Sequence, residues 1–129
     1  MDINQINVAN LAYIGDSVYE VNIRYFLVTK HGLKIDELQT MSKKYVSAVS
    51  QSKIIDYLMD NNFLTDNEQL LINRARNYKP KSKPKHVLIK DYKKATSLEA
   101  LFGALYINND LDRIKEIIKI IIDKVENKW

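Results

Sequence analysis

The chain contains few residues that interrupt helices. Its 129 residues include three glycines and two prolines, whereas all-β folds need many of both at their turns. Apolar residues recur every three or four positions along nearly the whole sequence, which is the period of an amphipathic helix. The sequence therefore predicts an all-α fold, a compact multi-helix bundle in one domain spanning residues 1–129.

The apolar pattern also predicts where helices begin and end. A long first helix ends at Gly32, a residue type that suits a C-cap. Helices follow at about 35–43 and 46–60, and another begins at Thr65 or Asp66, with Glu68 in its first turn. The last two are predicted at about 95–108 and from Asp110 to about 126. The first helix is predicted to present one apolar stripe: Leu11, Ile14, Val18, Val21, Tyr25 and Val28.

Composition limits the class of protein. Apolar residues make up 46% of the chain, so a packed core is expected, and without cysteine there are no disulfides or thiolate metal sites. The N-terminal residues lack the pattern of a signal peptide, and charges interrupt every apolar segment before it reaches membrane-spanning length. We therefore predict a soluble, cytoplasmic domain.

The positive charge is concentrated in one segment. The formal net charge is +4, a modest hint of an anionic partner. Residues 78–94, "YKPKSKPKHVLIKDYKK", carry many lysines and both prolines, and they break the helical pattern. We predict a basic, flexible loop at about 78–94. A solvated lysine run is the commoner explanation for such a segment, but this one leads directly into the next helix.

Carboxylates interrupt two otherwise apolar helices. In "LAYIGDSVYE", residues 11–20, Gly15-Asp16 lies in mid-helix, and Glu20 follows one turn later. The segment "TSLEALFGALY", residues 96–106, repeats the design with Glu99 and Gly103. A mid-helix glycine costs about 1 kcal/mol relative to alanine, so we expect both glycines to permit close packing of the two helices.

Such packing would bring Asp16 and Glu99 together. Two facing carboxylates form a hard, oxygen-rich site that suits Mg²⁺ or Mn²⁺. Two structural alternatives remain open at this point. The glycines can serve packing alone, and Asp16 can be bonded to an arginine or to a helix N-terminus, with Glu20 in water.

These segments resemble the two signature segments of the ribonuclease III catalytic domain. The subfamily most similar to the chain is Mini-ribonuclease III, which has that domain without a double-stranded-RNA-binding domain. "VSAVSQ" at 46–51 and "RARN" at 74–77 add to the resemblance, which extends over nearly the whole chain.

The resemblance implies roles for particular residues. Asp16 and Glu99 match the essential acids of the family, so they are the implied catalytic residues and metal ligands. Ala12 and Thr96 stand where the wider family has two further acids, as in the Mini subfamily. With fewer protein ligands the metal would keep more waters, and Glu20 is a candidate third ligand.

The resemblance also implies an activity. The expected reaction is Mg²⁺-dependent hydrolysis of double-stranded RNA by a homodimer, with Mn²⁺ a possible substitute, leaving 5′-phosphate and 3′-hydroxyl ends. The implied substrate is the precursor of 23S ribosomal RNA, matured at both ends, with a ribosomal protein as helper. Residues next to or within the basic segment are the RNA-binding candidates: Arg74, Arg76, Asn77, Lys79, Lys81, Lys83 and Lys85.

Two other functions compete with this one. Because the Ala12 and Thr96 positions lack acids, a catalytically weak or inactive RNA-binding, ribosome-associated helical module is the main alternative. A plain helical interaction domain, whose acids and lysines are only solvated, is the third. The intact Asp16 and Glu99, each with a glycine nearby, favour the nuclease.

Overall fold

A computed structural model describes residues 2–129, with the backbone alone described at residue 31. Within these residues a short 3-10 turn, Ile3–Gln5, precedes six α-helices and there are no strands, so the all-α prediction is confirmed. None of the described helices combines the length and the apolar content that crossing a membrane requires. The helices are α1 (Val8–His31), α2 (Ile35–Val46), α3 (Ala48–Asp60), α4 (Asp66–Arg76), α5 (Ile89–Ile107) and α6 (Leu111–Glu126).

Local interactions fix several helix ends where the sequence predicted them. Gly32 follows α1 with φ of 57°, in the left-handed region that favours glycine. Thr65 and Glu68 form a capping box at the start of α4. The Glu68 backbone N–H donates to the Thr65 hydroxyl at 3.1 Å, and the Thr65 N–H donates to the Glu68 carboxylate at 2.9 Å. Both predicted termini are confirmed.

The start of α5 was predicted wrongly. The helix begins at Ile89, six residues before the expected start near Ala95, so the loop between α4 and α5 covers only residues 77–88. The Tyr92 N–H donates to the Leu88 carbonyl at 3.0 Å, which closes the first turn. Lysine is a good helix former, so the lysines that suggested a loop are equally compatible with this turn. An ion pair of 2.8 Å between Lys94 and Asp56 anchors it to α3.

Helix α5 is the central element of the bundle. It packs against α1, α3 and α4, and every residue from Ala100 to Leu105 is buried. A helix enclosed in this way needs apolar residues all round. The position of Glu99 at the start of this run places a carboxylate at the edge of the core.

The predicted stripe of α1 does not form one buried face. Leu11 and Val18 are buried, but Val21, Tyr25 and Val28 are 61%, 71% and 58% exposed. The core-facing side of α1 instead runs through Tyr19, Ile23 and Leu27. Because the helix is apolar on two sides, spacing alone could not show which side the neighbouring helices cover. The uncovered side forms an apolar face on the surface.

Candidate active site

Two glycines allow α1 and α5 to cross in close contact. A Cβ atom at residue 15 would lie 1.6 Å from the carbonyl oxygen of Glu99. A Cβ atom at residue 103 would lie 1.9 Å from the carbonyl oxygen of Leu11. Neither position has room for any side chain, so the prediction that these glycines serve close packing is confirmed.

The crossing brings the carboxyl groups of Asp16 and Glu99 together. Asp16 comes from the exposed edge of α1, Glu99 is partly buried in α5, and both carboxyl groups line the same cleft. Burial and the adjacent Asp16 raise the pKa of Glu99 to about 8. With a pKa raised in this way, Glu99 favours its protonated form at neutral pH when no cation is bound.

The two acids line an open cleft of about 340 Å³ between α1, α5 and the basic loop. Ala12 and Thr96 lie in the same lining. These are the two positions at which the resemblance implies that acids have been replaced. The cleft therefore has space beside Asp16 and Glu99 that water can occupy. The remaining lining residues are Ala9, Tyr13, Tyr78, Pro80, Lys81, Ser82 and Tyr92.

The donor set fits a hard divalent cation that keeps most of its water. Within residues 2–129 no three or more histidine, aspartate or glutamate side chains are grouped so as to hold a metal ion. Asp16 and Glu99 alone would hold it, which suits Mg²⁺ because that ion usually retains several waters and binds one or two carboxylates. Burial is the main cause of the raised pKa of Glu99 and the adjacent Asp16 is the second, and a bound cation would offset both because it favours the charged carboxylates.

Glu20 is not placed as a third ligand. Its carboxylate pairs with Arg24 at 3.3 Å on the outer side of α1. The charge of Glu20 still contributes to the raised pKa of Glu99, behind burial and Asp16. Glu20 therefore lies near the pair without joining it in a cluster.

The RNA-binding candidates separate into two groups. Lys81 lines the cleft, and Lys79, Lys83 and Lys85 are exposed in the same loop. Arg74 instead donates to the carbonyl oxygen of Ile3 at 3.3 Å and to that of Ile6, so it fastens the N-terminal turn to α4. Arg76 contacts the Met59 sulfur at 3.8 Å. Asn77 is the exposed C-cap of α4. The roles of all these residues in binding RNA stay predictions.

One polar residue beside the site has no role in the sequence predictions. Gln51 of α3 is 2% exposed, and its side chain lies near enough to Glu99 to offset part of the rise in the pKa of that carboxyl. It shares a buried face with Ile54 and Leu58, three and seven positions later. The sequence did contain a signal for Gln51, since an amide stands on the apolar stripe of this helix. A buried polar group needs a hydrogen-bonding partner, so such a position indicates a polar neighbour.

Comparison with known proteins identifies the family. Residues 9–110 match the model of the Ribonuclease III domain. The chain belongs to this family. The family membership confirms the predicted resemblance and the prediction of an endoribonuclease.

Relatives of known name match almost the whole chain. Mini-ribonuclease 3 of Staphylococcus aureus is 36% identical over 126 residues, covering 98% of this chain and 94% of the relative. A Mini-ribonuclease 3-like protein of Ilyobacter polytropus is 38% identical over 116 residues, covering 90% and 89%. A crystal structure of a protein from Fusobacterium nucleatum superposes with a TM-score of 0.82 at 34% identity, covering 95% of this chain and 96% of that one.

Proposed function

We propose that this protein is a divalent-metal-dependent endoribonuclease that cleaves double-stranded RNA at the cleft containing Asp16 and Glu99. One observation carries the proposal: the close crossing of two helices brings two carboxyl groups into the lining of one open cleft in a ribonuclease III domain. A pair of acids that repel one another at partial burial is costly to a fold unless the site uses it.

Phosphodiester hydrolysis requires an activated water and a stabilised leaving oxygen, and a divalent cation supplies both when it is bound. The residues of the chain provide the setting. Asp16 and Glu99 would hold the cation as carboxylates, and Glu99, whose pKa is raised to about 8 in the metal-free protein, would release its proton when the cation binds. Attack of water on the phosphorus breaks the P–O3′ bond, so the phosphate stays on the 5′ end of one product and the O3′ oxygen, once protonated, is the 3′-hydroxyl of the other.

The basic loop provides the RNA contacts. Lys81 reaches the cleft that holds the acids, and its charge suits the phosphates beside the scissile bond. The neighbouring exposed lysines extend the positive surface along the loop. Contacts of this kind read the shape and charge of an A-form duplex more than its bases, so binding is expected to weaken steeply as salt rises.

The protein acts as a homodimer in this proposal, because one cleft cuts one strand and two clefts are needed for a duplex. The apolar face of α1 supports this part of the proposal. Val21, Tyr25 and Val28 are exposed there, next to Ile35 at the start of α2, which is 66% exposed. Large exposed apolar groups in a row mark interaction surfaces more often than scattered ones do.

The natural substrate in this proposal is the precursor of 23S ribosomal RNA, cut near its 5′ and 3′ ends, with a ribosomal protein assisting. The names of the relatives, which are ribonucleases, support an RNA substrate. A reconstituted precursor duplex tests the assignment. We expect cuts at the mature ends, and faster cutting when the ribosomal proteins that bind that region are added.

The test of the core proposal uses long double-stranded RNA with Mg²⁺, with EDTA and with two variants. We expect cutting in Mg²⁺, none in EDTA, and at least about a 100-fold loss in Asp16→Asn, since that substitution removes a ligand charge. Asp60→Asn removes the same charge from the far end of α3 and is expected to cut normally. RNA binding without cutting would favour the alternative of an inactive RNA-binding module. If the protein neither bound nor cut RNA, the third alternative, a plain helical interaction domain, would remain.

A further inference from the structure

We propose that Tyr78 is a positioning residue of the RNA-binding surface, whose ring holds the start of the basic loop so that Lys81 stays at the cleft. The inference rests on the proposed function and deepens it, because it explains how a lysine of an exposed loop keeps its place beside Asp16 and Glu99. The sequence predictions assigned no role to Tyr78.

The backbone of the loop is fixed as far as Tyr78. The Asn77 N–H donates to the carbonyl oxygen of Asn73 at 3.2 Å, and the Tyr78 N–H donates to that of Ala75 at 3.2 Å. These two hydrogen bonds extend the last turn of α4 into the loop. The direction in which the chain leaves α4 is therefore set by the helix, and the Tyr78 side chain starts from a defined position.

The Tyr78 ring joins the loop to the core. It is partly buried and packs against a small cluster of buried residues from α1, α4 and α5: Val8, Leu11, Ala12, Ala75, Ala100 and Ala104. An aromatic ring supplies a large apolar contact through few rotatable bonds. Such an anchor suits this loop, because residues 81–86 are all exposed.

Tyr78 and Pro80 also form a wall of the cleft. A smaller hollow adjoins the cleft and is lined by Ala75 and Lys93 together with four residues that also line the cleft: Tyr78, Pro80, Tyr92 and Thr96. Residues shared by two adjoining hollows lie between them, so the first residues of the loop lie against α5. Lys81 follows Pro80 directly and enters the lining of the cleft. Because the proline ring fixes φ at residue 80, the backbone has little freedom to move Lys81 away.

Anchoring at Tyr78 shortens the segment that RNA must order. The second half of the loop is held by a turn in which the Val87 N–H donates to the carbonyl oxygen of Pro84 at 3.2 Å. Residues 81–83 span the interval between Pro80 and this turn. Ordering a free loop weakens binding, whereas a loop already held in its bound position avoids that loss. Tyr78 is therefore expected to raise affinity for RNA through Lys81.

The decisive experiment measures binding of an RNA duplex to the full chain by filter binding in EDTA, where no RNA is cut, at several salt concentrations. In Tyr78→Ala we expect about a tenfold loss of affinity, as in Lys81→Ala, and a slope of log affinity against log salt that falls by about one. The substitution removes no charge, so a lower slope means that a lysine contact has been lost with the ring. Tyr106→Ala removes a tyrosine that is 49% exposed at the far end of α5 and should change neither quantity.

The double variant Tyr78→Ala/Lys81→Ala tests whether the two residues act together. We expect it to bind RNA as Lys81→Ala does and with the same slope, because the second change removes nothing further. Additive losses would show that Tyr78 acts independently of Lys81 and would overturn the proposal.

Tyr78→Phe separates positioning from a direct contact. It keeps the ring and removes the hydroxyl, so wild-type binding is expected. A loss equal to that of Tyr78→Ala would instead assign the hydroxyl a direct contact with RNA and overturn the positioning role. If Tyr78→Ala does not fold, Pro80→Gly takes its place. It frees the backbone between Tyr78 and Lys81 without changing the core, and the same loss of affinity and slope is expected.

The results separate the two proposals. A folded Tyr78→Ala or Pro80→Gly protein with the wild-type slope overturns the role of Tyr78, and so does a wild-type slope in Lys81→Ala. A wild type that binds the duplex in EDTA but does not cut it in Mg²⁺ overturns the proposed function, and the binding experiment still decides the role of Tyr78. A wild type that binds no duplex overturns both.

Discussion

The carbonyl oxygen of Glu99 occupies the place where a side chain on residue 15 would begin, because a Cβ atom there would lie 1.6 Å away. The same contact that requires glycine in α1 also fixes the position of Glu99 along the axis of α1, and this position brings its side chain opposite Asp16. Helix packing and site geometry therefore depend on one another at this crossing.

Replacing Gly15 by alanine should separate α1 from α5. Overpacking of this kind typically costs about 1–3 kcal/mol, which outweighs the gain of about 1 kcal/mol from better helix propensity. We expect a lower free energy of unfolding in urea and a loss of RNA cleavage of about 100-fold, since small displacements of reacting groups are costly. Ser17→Ala, on the exposed side of α1, should change neither. Wild-type stability in Gly15→Ala would contradict the close crossing.

The stability of the metal-free protein should fall as the pH rises. The pKa of Glu99 in the folded protein is raised to about 8, whereas the usual pKa of a glutamate side chain is about 4.3. Between those values the folded state binds more protons than the unfolded state, so the free energy of unfolding decreases by at most about 1.4 kcal/mol per pH unit and levels off above about pH 8.

Urea denaturation in EDTA at several pH values measures this dependence. Glu99→Gln, which cannot ionise, should flatten it between pH 5.5 and 8, whereas Asp60→Asn should keep the wild-type slope. Parallel curves for the wild type and Glu99→Gln would argue against a protonated pair.

The apolar face of α1 should be required for dimer formation. Tyr25→Asp places a charge on a side chain that is 71% exposed, where it costs the monomer little but would be buried and unpaired in a dimer. Sedimentation should show a dimer for the wild type and a monomer for Tyr25→Asp. Leu70→Asp, at a similarly exposed apolar residue on α4, should remain dimeric. A dimeric Tyr25→Asp would place the interface elsewhere.

Lys81 should contribute one phosphate contact at the cleft. Lys81→Ala is expected to weaken duplex RNA binding and to reduce the slope of log affinity against log salt by about one. Filter binding in EDTA, where no RNA is cut, measures the slope. Lys115→Ala removes an exposed lysine from α6 and should leave the slope unchanged. Equal slopes for both variants would remove Lys81 from the RNA interface.

Interactions between residues that are close together in the chain could be predicted from the sequence. The left-handed C-cap at Gly32 and the capping box of Thr65 and Glu68 each depend on a local backbone geometry and a local partner. The pairing of a mid-helix glycine with a nearby acid, twice in the chain, was also enough to predict that Asp16 and Glu99 would meet. A glycine that costs helix stability implies a close neighbour.

The choice of partner across the bundle needed the tertiary structure. The sequence made α1 apolar on two sides, and only the placement of α5 decided that Ile23 is buried and Tyr25 exposed. Arg74 has the same charge as the loop lysines. Because the N-terminal turn lies beside α4, however, Arg74 donates hydrogen bonds to backbone carbonyls of that turn. Gln51 is buried near Glu99 because α3 packs against α5. Caps and spacing act over one or two helical turns, whereas burial and side-chain pairing depend on which distant segments pack together.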